Sequence, residues 1–218
     1  MNDHAFVPST KKHAFLIQFD IESLSLHPTN AVVGEVGISV MHIVNDNGEL
    51  SETHRSRSIK LNMQEQADKY GRQVDIDTVQ WWLKQGEAPR KAMADIFMRL
   101  SLGDGIHAIE AFIRPFLQEA LSYGVEAFIL SSAPAFDMTN IHSLYHHIGG
   151  SAPWAHWQEH SQRTLRWLAP VEAHPTRTVG NEAHRGEDDA AWQNNVLYHL
   201  MQADTYYGRA LRGFFKLE

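Results

Sequence analysis

Cysteine is absent from the 218 residues, so the chain forms no disulfide and offers no thiolate zinc site. A basic excess is also missing: 19 lysines and arginines stand against 26 acids, for a formal charge of −7. A protein that coats nucleic acid through its general field needs the opposite sign. An enzyme that grips only a strand end, with local basic residues and metal ions cancelling phosphate charge, is not excluded. No apolar run is long enough to span a membrane, and residues 1–12 lack the basic-then-apolar order of a signal peptide. The expected compartment is therefore the cytoplasm, with no membrane partner. Linker-like stretches, repeats and low-complexity segments are missing too, so one domain over residues 1–218 is expected.

What the chain does have begins with two carboxylates, Asp20 and Glu22, closing the run His13 to Ser23. Apolar and β-branched residues without Gly or Pro predict a strand there. Phe15, Ile17 and Phe19 fall on one face and Ala14 and Leu16 on the other, as in a central strand covered above and below. Side chains alternate along a strand, so Asp20 and Glu22 project on the same side. Like charges this close cost energy unless a cation or a proton is shared, and a hard divalent ion such as Mg²⁺ prefers carboxylate oxygens. Taken alone, the pair reads more readily as a polar strand end facing water.

Downstream, residues 31–44 predict a second strand, Asn47-Gly48 a tight hairpin, and the polar, basic run 51–61 an edge strand. A three-stranded antiparallel ribbon should open the fold. Helical spacing follows at 64–70, stopping at Gly71, and at 77–85, with Asp77 as the capping residue three before Gln80. Residues 89–100 carry Met93, Ile96, Phe97 and Leu100 at helical spacing. Residues 105–123 carry a stripe of Ile109, Phe112, Phe116 and Ala120, with Pro115 predicting a kink or break. A buried strand is predicted at 125–131, helices at 136–148, 154–168 and 188–202, and a Pro-containing loop at 169–183. Strands separated by helices make an α/β class.

Three further residues fall at telling places. Asp137 begins a helix just beyond the 125–131 strand. Asp189 lies in the first turn of the last helix, on the face of Trp192, Val196 and Leu200, and so points inward. His184 precedes it on the feeding loop. Singly, each acid is also a helix-start residue favoured by the dipole, and a second His-x-x-x-x-Asp pair occurs at His199/Asp204.

In order the set is Asp-x-Glu, Asp, then His-x-x-x-x-Asp. It resembles the DEDDh 3′–5′ exonucleases of the ribonuclease-H-like superfamily, from about Phe15 to Met201. The likeness is greatest to the phage DexA and exonuclease VIII-like branch, through Thr78-Val-Gln-Trp-Trp-Leu-Lys-Gln85 with Arg90, Ala135-Phe-Asp137, and Trp157 followed by Arg163-Thr-Leu165.

The resemblance implies a mixed sheet, an antiparallel three-stranded ribbon plus parallel strands, flanked by helices. It also implies a two-metal phosphodiesterase using Mg²⁺ or Mn²⁺. Asp20, Glu22 and Asp189 would hold the first ion, Asp20 would bridge to the second, and Asp137 would support it. His184 would be the general base. The partner would be a single-stranded nucleic acid or a 3′ end, DNA or RNA. Enzymes of this kind include dimers, so a homo-oligomer is compatible. Ser131-Ser-Ala-Pro134 replaces the Asn-Gly pair usual upstream of Phe-Asp in that branch. Glu187 and Asp188 add negative charge that Arg185 would screen.

Two rivals are weighed beside it. His156-Trp-Gln-Glu-His160 spells the His-x-x-Glu-His zinc-peptidase pattern, which on a helix sets His156, Glu159 and His160 together, with Glu172 or Glu182 as a further ligand. His142, His146 and His147 read as a helix surface. The other rival is a catalytically silent nucleic-acid-binding protein of the same fold; the intact acids and His184 argue against it. At least one of Trp81 and Trp82 is expected to pack inside.

Overall fold

The computed structural model describes residues 11–94, 99–177 and 183–218. Its centre is a five-stranded sheet in the order β3-β2-β1-β4-β5. Strands β1 (Lys12–Ser23), β2 (Val33–Asp46) and β3 (Glu49–Lys60) form the expected antiparallel ribbon. Asn47 and Gly48, at φ 55° and 99°, make the turn between β2 and β3, where both central residues need positive φ. Strand β3 is the polar edge, and β4 (Phe128–Ser131) and β5 (Glu159–Ser161) extend the other side in parallel. The mixed sheet and its covering helices are those of a ribonuclease-H-like fold.

Strand β1 is buried on both faces because helices cover both. Its odd side chains Phe15, Ile17 and Phe19 pack against α4 (Leu102–Ser122) and α5 (Asp137–His147). Its even side chains Ala14 and Leu16 pack against α7 (Gly186–Gln202) and α8 (Tyr206–Phe214), a helix the sequence reading did not foresee. Three short helices, α1 (Met63–Tyr70), α2 (Ile76–Leu83) and α3 (Glu87–Ala94), follow the ribbon. Gly71 ends α1 in the left-handed region, at φ 64°.

Several boundaries differ from expectation, each for a physical reason. Helix α2 starts at Ile76 rather than Asp77. Its flanking Asp75 makes no capping bond, because its carboxylate accepts the Ser25 hydroxyl at 2.7 Å and the Leu26 amide at 3.1 Å. In the expected 89–100 helix, Met93 is buried in α3, Ile96 and Phe97 lie outside the described residues, and Leu100 bridges to Leu61. Pro115 does not break α4: both it and Ala111, whose carbonyl loses its partner, face solvent. The buried line of α4 runs through Ile106, Ile109, Ile113 and Ala120, with Phe112 and Phe116 flanking it. The 125–131 strand pairs only over its last residues.

The largest correction falls at 154–168. Instead of one helix there is a 3-10 turn at His156–Gln158, then β5, then the short helix α6 (Gln162–Arg166). Parallel pairing of Glu159, His160 and Ser161 with Ile129, Leu130 and Ser131 overrides the helical pattern. No described helix is long and apolar enough to cross a membrane.

Candidate active site

Asp20 and Glu22 sit at the end of β1 on the α7 side. Antiparallel pairing sets Asp20 opposite Gly37 and Glu22 opposite Glu35, and a bulge follows between Glu22 and Ser23. Bulges re-aim side chains and often adjoin functional sites. Helix α7 reaches this level because Gly186, at its start, lies against the backbone of Gly37 and the carbonyl of Asp20. The first turn of α7 thereby brings Asp189 to the pair on β1. Among the described residues, ligand atoms of Glu22, His184 and Asp189 lie within 4.8 Å of one another, the single such group of acids and histidines.

Asp189 is tied down at both oxygens. Its Oδ2 accepts the His184 amide N–H at 2.7 Å, and its Oδ1 accepts Arg177 Nη2 at 2.5 Å. The turn that carries His184 therefore folds back onto the carboxylate it precedes. His184 itself has a left-handed backbone, φ 63°, a conformation costly for a residue with a Cβ. Its ring packs edge-on to Trp81, centroids 4.8 Å apart. Trp82 is the tryptophan that packs inside, its indole N–H donating to the Ser23 carbonyl at 2.8 Å, while Trp81 is 42% exposed. Helix α2 is thus pinned to the end of β1.

Asp137, 6% exposed, opens α5, and its Oδ2 accepts the Ala133 N–H at 3.0 Å. The Ser-Ser-Ala-Pro stretch that departs from the expected Asn-Gly therefore supplies a backbone donor to this carboxylate. Burial pushes the Asp137 carboxyl up to about 6, against the pull of the Ala133 amide, the Ser131 hydroxyl and the Arg163 charge.

Asp20 and Glu22 are held well above the ordinary carboxylate range. For Asp20 the cause is burial first, then Asp137 and Asp189; for Glu22 it is burial, then Asp20, Asp189 and Glu35. Asp137 and Asp189 thus both act on Asp20, although the ligand atoms of Asp20 and Asp137 do not join the close group of Glu22, His184 and Asp189. Carboxyls raised by burial and by neighbouring acids are relieved by a proton or by a cation. The donor set of carboxylate oxygens plus an imidazole suits a hard divalent ion.

Sequence reasoning missed several parts of this site. Gln193, one turn after Asp189 on α7, donates to Asp20 Oδ1 at 2.8 Å and accepts from Gln18 at 2.6 Å. Gln18 is wholly buried on the face of β1 that carries Asp20 and Glu22. Being polar within that apolar strand was its available signal. Glu35 is a further buried acid, accepting the Ser58 hydroxyl at 2.9 Å. Nothing local marked Arg177. Arg185 faces Asp188 at 3.4 Å, and Glu187 accepts the Ser56 hydroxyl at 2.9 Å, so both neighbours of Asp189 turn away from the site.

The zinc pattern does not assemble. His156 lies in the 3-10 turn, and Glu159 and His160 are successive residues of β5 that point to opposite faces. Glu159 Oε1 instead binds the His142 ring at 2.6 Å and the Trp154 indole at 2.7 Å. His142 thereby gains an acidic partner from another element, and its pKa is raised by that bond. Glu172 joins no ligand group among the described residues, and Glu182 lies outside them.

Beside the acids a cavity of about 480 Å³ opens between β1, α2 and the start of α5, lined by Ile21, Glu22, Leu26, Trp81, Trp82 and Phe136. Its walls are mainly apolar and aromatic, with a carboxylate at one edge. Residues 16–201 match the family model described as the 3′–5′ exoribonuclease Rv2179c-like domain, a span that contains all five candidate residues. No curated protein matches the chain.

Proposed function

The chain belongs to the Rv2179c-like 3′–5′ exoribonuclease domain family, and on that premise we propose that it hydrolyses phosphodiester bonds from the 3′ end of a single-stranded nucleic acid. The observation that carries the reading is the convergence of Glu22, His184 and Asp189 within 4.8 Å, with Asp20 two residues before Glu22 on the same face of β1. The same reading puts it among the DEDDh enzymes, with the DexA and exonuclease VIII-like branch as nearer kin. Asp20, Glu22 and Asp189 would hold one Mg²⁺ or Mn²⁺ ion, and Asp20 and Asp137 a second. When bound, such a pair neutralises charge developing on the attacking and departing oxygens.

The protein's own residues do the rest. The cavity accepts the terminal nucleoside, with Trp81, Phe136 and Leu26 as apolar surface for its base and sugar. That seat directs the last phosphodiester towards Glu22 and Asp189. His184 takes the proton of the attacking water on its imidazole, a ring whose free nitrogen can accept one. As the water oxygen joins phosphorus, the bond to the preceding 3′-oxygen breaks, and a 5′-mononucleotide leaves. Edge-on packing against Trp81 restricts the His184 ring, and the bond from its amide to Asp189 fixes the turn that presents it.

The test is release of labelled mononucleotide from matched RNA and DNA strands in Mg²⁺, Mn²⁺ or EDTA. Metal-dependent release from the 3′ end is expected, and the same assay separates RNA from DNA as substrate. Binding with no release would restore the silent binding protein, and full release in excess EDTA would remove the metal assignment.

A further inference from the structure

Three arginines, Arg163 and Arg166 of α6 and Arg177 of the loop before α7, stand near Asp137, Trp192 and Asp189. Helix α6 begins where β5 ends, so Arg163 in its first turn is exposed close enough for its charge to act on Asp137. One turn on, the Arg166 guanidinium lies over the Trp192 ring at 5.8 Å. Arg177 lies over the same ring at 5.3 Å and reaches Asp189 Oδ1 at 2.5 Å.

Arg177 has its anion in Asp189, but the two arginines of α6 have no such partner among the described residues. Two guanidiniums share one indole, and Arg166 is held below the usual arginine range by burial and by Arg163. Among the described residues neither Arg163 nor Arg166 has a carboxylate within ion-pair distance. Arg166 Nε is enclosed and makes no hydrogen bond. In a chain of net charge −7, this strip stands out as locally cationic. Guanidinium groups match phosphate oxygens in a planar fork, and arginines stacked on aromatic rings are held ready for that contact. Trp167, next in sequence and 69% exposed, presents a ring on which a base can stack. None of these residues lines the cavity beside Trp81.

We propose that Arg163, Arg166 and Arg177 hold the phosphodiester backbone of the strand leading away from the scissile bond. The substrate is then a single-stranded oligonucleotide rather than a minimal nucleotide ester. Arg177 takes a phosphate beside Asp189, and Arg166 and Arg163 take its neighbours. This assignment rests on the nuclease reading above.

The test uses the full chain in EDTA, titrated into a short fluorescein-labelled single-stranded RNA and followed by anisotropy at several salt concentrations. Arg163→Gln and Arg166→Gln should each weaken binding about tenfold, the worth of one charge-assisted contact. Each should also reduce the slope of log affinity against log salt by about 0.7. Arg163 is exposed, so its variant keeps the test valid if Arg166→Gln perturbs packing on Trp192. With Mn²⁺ present, both variants should lose far more rate on the RNA than on the p-nitrophenyl ester of thymidine 5′-monophosphate, which has no upstream backbone. Wild-type affinity and salt slope in both variants would overturn the proposal. Loss of RNA binding in the variants, with no hydrolysis by the wild type, would instead sink the nuclease reading and leave the arginines as a strip that binds RNA without cleaving it.

Discussion

Gly37 on β2 and Gly186 at the start of α7 touch backbone to backbone: a Cβ on Gly37 would stand 1.8 Å from the carbonyl carbon of Gly186. Gly37 is also the register partner of Asp20. The contact that seats α7 on the sheet therefore lies at the level where the acids need Asp189. Gly37→Ala should push α7 away and cost about 1–3 kcal/mol, as overpacking does. A displacement of about 1 Å at the acids should lower turnover on the order of 10²-fold. Urea unfolding and single-turnover rates measure the two effects, and a variant with wild-type rates would show that the contact does not set the site.

Asp20→Asn should abolish hydrolysis while leaving the metal-free protein at least as stable, because a buried, mutually repelling charge is removed. Gln193 can keep its bond to the remaining carbonyl oxygen. Thermal melts with EDTA and with Mn²⁺ supply the check. The wild type should be stabilised by Mn²⁺ and the variant should not; equal stabilisation of both would remove Asp20 from the ligand set.

The raised carboxyls set a direction for stability against pH. Asp137 titrates near 6 in the fold against 3.8 in an open chain. Its contribution is therefore complete below about 3.8 and lost as pH rises through about 6. Asp20 and Glu22 are shifted in the same direction. The melting temperature of metal-free protein should carry a component that falls over this window, and Asp137→Asn should remove part of it. The same difference measured in saturating Mn²⁺ should shrink, since the ion favours the ionised acids. A variant that tracks the wild type at every pH would contradict the shift.

His184→Ala should lower turnover roughly 10²–10⁴-fold, the worth of a positioned proton acceptor. Part of the lost rate should return at high pH, where hydroxide replaces the missing base. Mn²⁺ affinity by calorimetry decides the role: little change marks a base, whereas a large loss makes His184 a ligand alongside Glu22 and Asp189.

Replacing His156 and His160 together with Gln should leave nuclease turnover within a few-fold, because the two residues sit on separate short elements and Glu159 is engaged by His142 and Trp154. Stoichiometric zinc in the wild type that vanishes in this double variant would reverse that assignment.

Local sequence determined the parts of this protein whose cause is local. The period of two along His13–Ser23 put Asp20 and Glu22 on one face, and Asn47-Gly48 fixed the hairpin that orders the antiparallel ribbon. Helix-start positions located Asp137 and Asp189. Tertiary structure alone decided the rest, because the deciding contacts join residues far apart in the chain. Gln18 and Gln193 are separated by 175 residues, and neither carries a local sign of the other. Helical spacing at 154–168 yielded to pairing with β4, since backbone hydrogen bonds to a neighbouring strand outweigh a few tenths of a kcal/mol of propensity per residue. That pairing dissolved the His-x-x-Glu-His pattern and aimed α6 so that Arg166 lies over Trp192. Which tryptophan is buried, and which edge meets His184, followed from where α2 docks on the end of β1. The acids were legible because a strand imposes their geometry within three residues. The arginine opposite them was not, because only the folded chain brings Arg177 to Asp189.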